Sequence, residues 1–140
     1  FINKYYKPEL PLNLTKHLFK FANSSIDVSD GLIDDLSKMI NRQSLSFHLY
    51  ENKIPVSKKL SNLIKKQKLN KINLISNGDD YQVLFTAKIN KARIIQNASK
   101  TTGIKITKIG KIISGKHRSL IFDEKGKQIR AKSNGYIHRF

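Results

Sequence analysis

Apolar residues recur at helical spacing in several parts of the chain. The clearest case follows Asp30, where they fall at i, i+1, i+4, i+7 and i+8, as in an amphipathic helix. These positions are Leu32, Ile33, Leu36, Met39 and Ile40. Helical spacing is also found for Leu14, Leu18 and Phe21, and again for Leu60, Leu63 and Ile64. We predict helices over residues 12–22, 30–41, 57–68 and 90–102.

The ends of these helices carry residues that are typical of caps. Ser57 precedes the third helix, and either Ser29 or Asp30 can cap the second, because their side-chain oxygens can accept a first-turn N–H. Gly103 follows the fourth helix, where a glycine commonly ends the helical conformation. We therefore predict caps at Ser57 and at Ser29 or Asp30, and a C-terminal stop at Gly103.

Other segments show the alternation or the apolar runs of strands. Residues 45–50 alternate apolar and polar side chains, and segments 72–75 and 81–87 flank a tight turn at 76–80. Further β segments are predicted at 104–113, 118–122 and 127–131, with residues 24–27 as a short connection or strand. The pattern predicts an α/β (α+β) fold. In it, helices 30–41, 57–68 and 90–102 cover one side of a mixed sheet that contains 45–50, 81–87 and 104–113.

Length and composition narrow the class of protein. The chain has 140 residues, which suits a single domain, and it contains no cysteine, so disulfides and thiolate chemistry are excluded. A reducing compartment fits such a chain, and we predict a cytoplasmic location. No apolar run approaches the roughly 20 residues that span a bilayer, so we expect no membrane partner. The chain starts without methionine, and we interpret it as part of a longer protein.

A formal net charge of +17 leaves a nucleic-acid-binding module open as an alternative. Lysines cluster at 58–59 and at 65–68. No aromatic stacking motif or zinc framework accompanies them, and lysines on a predicted helix are most simply a solvated face. We expect no specific nucleic-acid partner.

Six of the ten acidic residues fall into two short segments, 27–35 and 78–81. Grouped carboxylates repel one another, and their usual counter-charge is a hard divalent cation with oxygen ligands. Magnesium commonly binds through one or two carboxylates together with substrate phosphates. The grouping therefore indicates magnesium and a phosphorylated ligand.

Each acidic segment also has a purely structural interpretation. Asp27, Ser29 and Asp30 precede a predicted helix, where N–H groups can bind anions, but a cap explains only one of the three. Asp34 and Asp35 lie in the first turns, where the helix dipole favours acids, and we interpret them as structural. Residues 78–80 can form an ordinary Gly-Asp-Asp turn. The four histidines have no metal-ligand spacing and are interpreted as surface or packing residues.

Four segments, in order along the chain, resemble motifs of the thiamine-monophosphate kinases. Residues 25–36 are similar to the family's Asp-x-Ser-Asp-Gly-Leu-x-x-Asp-Leu motif, and residues 76–86 to Ser-Gly-Gly-Glu-Asp-Tyr-Glu-Leu-Leu-Phe-Thr. Residues 106–112 resemble Ile-Thr-x-Ile-Gly-x-Ile, and residues 135–140 a terminal Gly-Tyr-Asp-His-Phe. The resemblance covers only the family's C-terminal domain. It implies that residues 1–140 are the single C-terminal domain of a two-domain kinase, without the N-terminal ATP-binding domain.

The resemblance implies an enzyme of the superfamily that includes aminoimidazole ribonucleotide synthetase. Such a kinase transfers the γ-phosphoryl group of ATP to thiamine monophosphate, with several magnesium ions, and is a homodimer. By the same resemblance, Asp27 and Asp30 are magnesium ligands, Ser29 contacts ATP, and Asp79 and Tyr136 contact the thiamine substrate. Another ATP-using enzyme of this superfamily is the alternative, and we expect this chain by itself to be inactive.

The chain departs from the family's motifs at several of these positions. Asp79 is one methylene shorter than the family's glutamate, and Asn77 replaces a glycine. Gln82 replaces a glutamate, Ile137 replaces an aspartate, and Arg139 is an insertion before the last residue. The substrate contacts of Asp79 and Tyr136 are therefore the expectations that most need a test.

Overall fold

Helices and strands alternate along the chain, as the periodicity predicts. The computed structural model describes residues 12–41, 43–78, 81–115 and 118–132. The α-helices and strands, in chain order, are α1 Leu12–Leu18, β1 Ala22–Val28, α2 Leu32–Ile40, β2 Leu45–Tyr50, α3 Lys58–Gln67, α4 Lys71–Ile75, β3 Gln82–Ala87, α5 Ala92–Thr102, β4 Gly110–Ser114, β5 Leu120–Phe122 and β6 Gln128–Ile129. Two single turns of 3-10 helix, Glu51–Lys53 and Ile89–Lys91, follow β2 and precede α5.

The strands form two sheets in the described part of the chain. One has four strands in the order β4-β2-β5-β6, with β2 antiparallel to β4 and parallel to β5. The other is an antiparallel ribbon of β1 and β3, in which Asp27 is opposite Val83 and Val28 is opposite Gln82. The larger sheet is mixed, and the fold combines it with helices, which confirms the predicted class.

The buried apolar side chains form two clusters, one on each side of the β1-β3 ribbon. The larger cluster joins α2, β2, α4 and β5, and Leu84 of β3 packs against it. The smaller one joins α1 and α5 through Leu14, Phe21 and Ala98, and Phe85 of β3 packs against it. Because successive side chains of a strand point to opposite faces, neighbouring residues of β3 reach different clusters. This double packing fixes the position of the ribbon.

One predicted strand is wrong. Residues 72–75 lie in helix α4, which begins after Asn70, whose side-chain oxygen accepts the N–H of Asn73. Ile72 and Ile75 are three residues apart and both are buried, as expected for one face of a helix. Four residues are too few to distinguish the period of a helix from that of a strand. The Asn70 cap and the burial of Ile72 and Ile75 show that the segment is helical.

The predicted single sheet is also wrong. Segment 81–87 supplies β3, but β3 pairs with β1 rather than with the sheet that contains 45–50. The short connection at 24–27 is therefore a strand. Segment 104–113 is a strand only from Gly110, where β4 begins, and β4 continues to Ser114. Residues 104–109 have no regular structure, although Ile109 O accepts the N–H of Tyr50.

The predicted ends of α3 and the predicted C-terminus of α5 are confirmed, whereas α5 begins at Ala92, after the predicted start at residue 90. Ser57 accepts the N–H of Leu60 as the cap of α3, and Gly103 ends α5 with φ 69°. Helix α1 ends at Leu18, four residues earlier than predicted, because Phe21 already belongs to the turn into β1. Helix α2 begins at Leu32, with Gly31 rather than Ser29 or Asp30 at its N-cap position. The last two β segments are shorter than predicted, at Leu120–Phe122 and Gln128–Ile129.

No helix in the described ranges has both the length and the apolar character required to cross a membrane.

Candidate functional site

The first acid-rich segment meets Gly78 and Tyr81, the described residues of the second, at one end of the β1-β3 ribbon. Because the strands are antiparallel, the residues after β1 lie beside the residues before β3. The N–H of Tyr81 donates to the carbonyl of Val28 at 2.9 Å and extends this pairing beyond the ladder. The ribbon therefore brings segment 29–31 against segment 76–78.

Two glycines allow the backbones of these segments to approach closely. A Cβ on Gly31 would lie 2.4 Å from the carbonyl oxygen of Ser76, and one on Gly78 would lie 2.3 Å from that of Ser29. Both glycines have positive φ, 125° and 84°, which side-chain-bearing residues rarely adopt. The presence of glycine at both positions is thus explained, because a side chain at either one would collide with the backbone of the other segment.

Asp35, in the first turns of α2, holds the backbone of segment 29–31. Its Oδ2 accepts the N–H groups of Ser29, Asp30 and Gly31 at 2.9, 3.0 and 3.2 Å. The side chain is 2% exposed, so the charge lies away from water and is compensated by these three donors. Asp35 thus has the structural role that was predicted for it. It is stabilised by hydrogen bonds from the loop before the helix and not by the helix dipole alone.

The ammonium group of Lys38 forms salt bridges with three carboxylates near this loop. Its Nζ lies 2.5 Å from Asp30 Oδ2, 2.7 Å from Asp34 Oδ2 and 3.2 Å from Asp35 Oδ1. The hydrogen bond to Asp30, followed by that to Asp34, raises the pKa of Lys38 well above its ordinary value. One oxygen from each acid lies within 4.8 Å of the others, the spacing of a group that can hold a cation.

Asp27 and Ser29 lie beside this group but are not part of it. Asp27 is exposed and shares its face of β1 with Asn23 and Ser25, whereas Ile26 and Val28 point the other way. Ser29 is half-buried directly after the strand. Of the predicted ligands, Asp27 therefore lies at the end of β1, and Ser29 and Asp30 lie in the connection between β1 and α2.

Asp79 and Tyr136, the two residues expected to contact the substrate, lie outside the described residues. Gly78 and Tyr81, the described residues on either side of Asp79 and Asp80, both contact segment 28–30 as given above.

Sequence reasoning missed two residues of this site. Lys38 follows Asp34 by four positions, a spacing at which opposite charges meet on one side of a helix, and that signal could have identified it. Ser76 is 1% exposed, and its hydroxyl donates to the carbonyl of Ile72 at 2.7 Å. No feature of the sequence indicates that the backbone of Ser76 faces Gly31.

The histidines and the exposed lysines have the predicted structural roles where they are described. His48 packs edge-on against Phe122, with ring centroids 5.3 Å apart. His17 lines a half-open cavity of about 210 Å³ between α1 and α5, together with Lys20, Phe21, Ile94, Asn97, Ala98 and Thr101. This cavity shares no residue with the acidic site. Lys65, Lys66 and Lys68 are exposed at the end of α3.

The fold is shared with solved α/β proteins. The crystal structure of Escherichia coli HypE, a hydrogenase maturation protein, superposes with a TM-score of 0.67 at 14% identity, over 89% of this chain and 38% of that chain. AaThiL complexed with AMPPCP and TMP superposes with a TM-score of 0.71 at 27% identity, over 97% of this chain and 40% of that chain. The chain therefore has the fold of the aminoimidazole ribonucleotide synthetase-like proteins.

Sequence similarity gives the more specific relationship. The thiamine-monophosphate kinase of Buchnera aphidicola subsp. Acyrthosiphon pisum is 35% identical over 141 residues, which cover 98% of this chain. That of Aquifex aeolicus is 34% identical over 86 residues. No protein-family model matches the chain. The chain is thus related over nearly its whole length to thiamine-monophosphate kinases, which confirms the resemblance seen in the motifs.

The relationship extends over only a part of those proteins. The chain spans 42% of the length of the Buchnera relative and 28% of the Aquifex relative.

Proposed function

We propose that this chain supplies part of the active site of an enzyme that phosphorylates thiamine monophosphate to thiamine diphosphate, with ATP as the phosphoryl donor. The observation that carries the proposal is the 35% identity, over 98% of this chain, to a protein named thiamine-monophosphate kinase. AaThiL, a structural relative of this chain, is complexed with AMPPCP, an ATP analogue, and with TMP. The meeting of segments 29–31 and 76–78 supports the same proposal, since both belong to motifs of that family.

The chemistry explains why acids rather than a general base are grouped here. The acceptor is a phosphate oxygen that is already ionised at neutral pH, so no side chain has to remove a proton. The main obstacle is the repulsion between two polyanionic substrates. When bound, magnesium ions neutralise this charge and help to align the reacting phosphates.

The donor set of this chain fits magnesium. Carboxylate oxygens are its preferred protein ligands, and the acidic group at α2 already surrounds the ammonium of Lys38, so a positive charge is stabilised at this place. Asp30 belongs to this group, and by the resemblance to the family's motif Asp27, at the end of β1, would hold the metal together with it. Ser29, which lies just before the N-terminus of α2, would contact a phosphate of ATP.

The thiamine end of the substrate belongs to the second segment in this proposal. Asp79 follows Gly78, whose backbone packs on Ser29, so a ligand held by Asp79 would lie near the phosphate-binding segment. Tyr136 would pack on the cationic ring of thiamine, since aromatic faces attract cations. Both roles come from the family's motifs.

The complete protein in this proposal has two domains. Residues 1–140 are its C-terminal domain, and an N-terminal domain supplies most of the ATP and magnesium site. The enzyme is a homodimer and acts in the cytoplasm, to which a chain without cysteine is suited. This chain alone, without the N-terminal domain, is inactive.

The test is a kinetic comparison of aspartate variants in the complete protein. Asp27→Asn and Asp30→Asn should each lower kcat by on the order of a hundredfold or more, because each removes a charged metal ligand. Raised magnesium should restore part of the loss. Circular dichroism should show an unchanged fold, since asparagine has the same size and shape as aspartate.

Asp123→Asn is the matched control. Asp123 accepts the N–H groups of Lys125 and Lys127 in the turn before β6, and asparagine also fits such turns. Its kcat should equal that of the wild type. Normal turnover and normal magnesium dependence in Asp30→Asn would refute the metal role. Phosphorylation of a different acceptor by the wild type, with none of thiamine monophosphate, would instead favour another ATP-using enzyme of the superfamily.

A further inference from the structure

The carboxylate of Asp35 is buried and charged, yet it has no part in the proposed binding of metal, ATP or thiamine. The side chain of Asp35 is 2% exposed, whereas the side chains of Asp30 and Asp34 are 30% and 34% exposed. Burying a charge is costly unless donors compensate it. Its partners are therefore informative about its role.

Every donor to Asp35 Oδ2 is a backbone N–H of the segment that carries the proposed ligands. The three bonds come from Ser29, Asp30 and Gly31, and in return the N–H of Asp35 donates to the carbonyl of Gly31 at 3.0 Å. Oδ1 is the acceptor for Lys38 at 3.2 Å, which orients the second oxygen of the same carboxylate. Both oxygens are thus engaged, and the plane of the carboxylate is fixed.

The other side of the segment is fixed by backbone packing. Gly31 lies against the carbonyl of Ser76, and the carbonyl of Ser29 lies against Gly78. Segment 29–31 is therefore held between a buried carboxylate and the segment that precedes Asp79. Displacement of either support would move the Ser29 hydroxyl and the Asp30 carboxylate together.

We propose that Asp35 is a positioning residue: its carboxylate sets the conformation of segment 29–31, so that Ser29 and Asp30 hold ATP and magnesium in the productive geometry. This inference rests on the proposed function and deepens it. Asp35 touches neither the metal nor the substrates in this scheme and acts through the three backbone N–H groups.

Asp34 is a matched control that the chain itself offers. It lies beside Asp35 on α2 and bonds the same Lys38, at 2.7 Å, but segment 29–31 donates no described hydrogen bond to it. Asp34→Asn and Asp35→Asn make the same change in charge at neighbouring positions. A difference between them therefore isolates the bonds to the backbone.

The first measurement is amide hydrogen exchange of residues 29–31 in the complete protein without ligands. Asp35→Asn should speed exchange there by about tenfold or more, because hydrogen bonds to an ionised acceptor are stronger than those to a neutral amide oxygen. Asp34→Asn should leave it unchanged. Equal exchange rates in the two variants would overturn the proposal.

The second measurement is the magnesium dependence of turnover. Asp35→Asn should raise the magnesium concentration for half-maximal rate and lower kcat, each by about tenfold or more, as expected when a ligand's supporting partner is lost. Asp123→Asn, in the turn before β6 and outside the acidic group, should stay close to the wild type. Asp35→Glu keeps the charge but displaces the carboxylate by a methylene, so it should resemble Asp35→Asn; recovery of wild-type values would show a charge effect and refute positioning.

The two proposals fail in different ways. If the wild-type protein does not phosphorylate thiamine monophosphate, the proposed function fails, and the exchange measurement still decides whether Asp35 holds the segment. If Asp30→Asn abolishes turnover while Asp35→Asn keeps the exchange rates and the magnesium dependence of the wild type, the proposed function stands and the positioning role of Asp35 is refuted.

Discussion

Replacement of Gly31 by alanine tests the packing of the two motif segments directly. The added Cβ would lie 2.4 Å from the carbonyl oxygen of Ser76 and 2.8 Å from its carbonyl carbon, inside the 3.0 Å limit that real Cβ atoms observe. The obstacle is backbone, so no side-chain rotation can relieve it. The backbone of Gly31, with φ 125° and ψ 147°, is also in a region that only glycine readily occupies.

The expected loss of stability has two parts. The unfavourable backbone conformation costs about 1–3 kcal/mol, and forcing extra volume into a packed place costs about another 1–3 kcal/mol. Gly31→Ala should therefore lower the free energy of unfolding by about 2–6 kcal/mol. That is a large part of the roughly 5–15 kcal/mol by which proteins are stable. Urea unfolding of the complete protein, followed by circular dichroism, measures the change.

Gly103→Ala separates the two parts. Gly103 ends α5 with φ 69°, but a Cβ there would have no heavy atom within 4 Å. Its replacement introduces only the left-handed conformation, at about 1–2 kcal/mol. A loss in Gly31→Ala no larger than that in Gly103→Ala would show that segments 29–31 and 76–78 do not pack as described.

Two further predictions concern substrate contact and pH. Asp79→Asn should raise the KM for thiamine monophosphate with little change in ATP binding. Asp79→Glu restores the family's residue and should keep or improve activity. An unchanged KM in Asp79→Asn would show that Asp79 is only a turn residue. Burial lowers the pKa of Lys71 below its ordinary value of 10.5, and its ammonium donates to the carbonyls of Glu51 and Ile54. Just below pH 10.5 the unfolded chain then binds more protons at this site than the folded protein, so the contribution of Lys71 to the free energy of unfolding should rise with pH there. Urea unfolding across this range should show that rise in the wild type relative to Lys71→Met; a difference that does not vary with pH would contradict it.

Local patterns in the sequence predicted most of the helices and strands. Helix α2, strand β2 and the Ser57 cap of α3 depend on periodicity and on side chains within a few residues, so the sequence is sufficient for them. The same holds for the identity of the motif residues, because a resemblance compares residue types in order. The short segment 72–75 was misassigned because four residues do not distinguish the two periods.

Tertiary structure decided how these elements and motifs combine. The pairing of β1 with β3 rather than with the larger sheet depends on contacts between residues more than 50 positions apart, which no local pattern encodes. That pairing places Gly31 against Ser76 and Gly78 against Ser29. The folded backbone also directs three N–H groups toward one oxygen of Asp35. The position of Asp35 in a predicted helix could not indicate these hydrogen bonds.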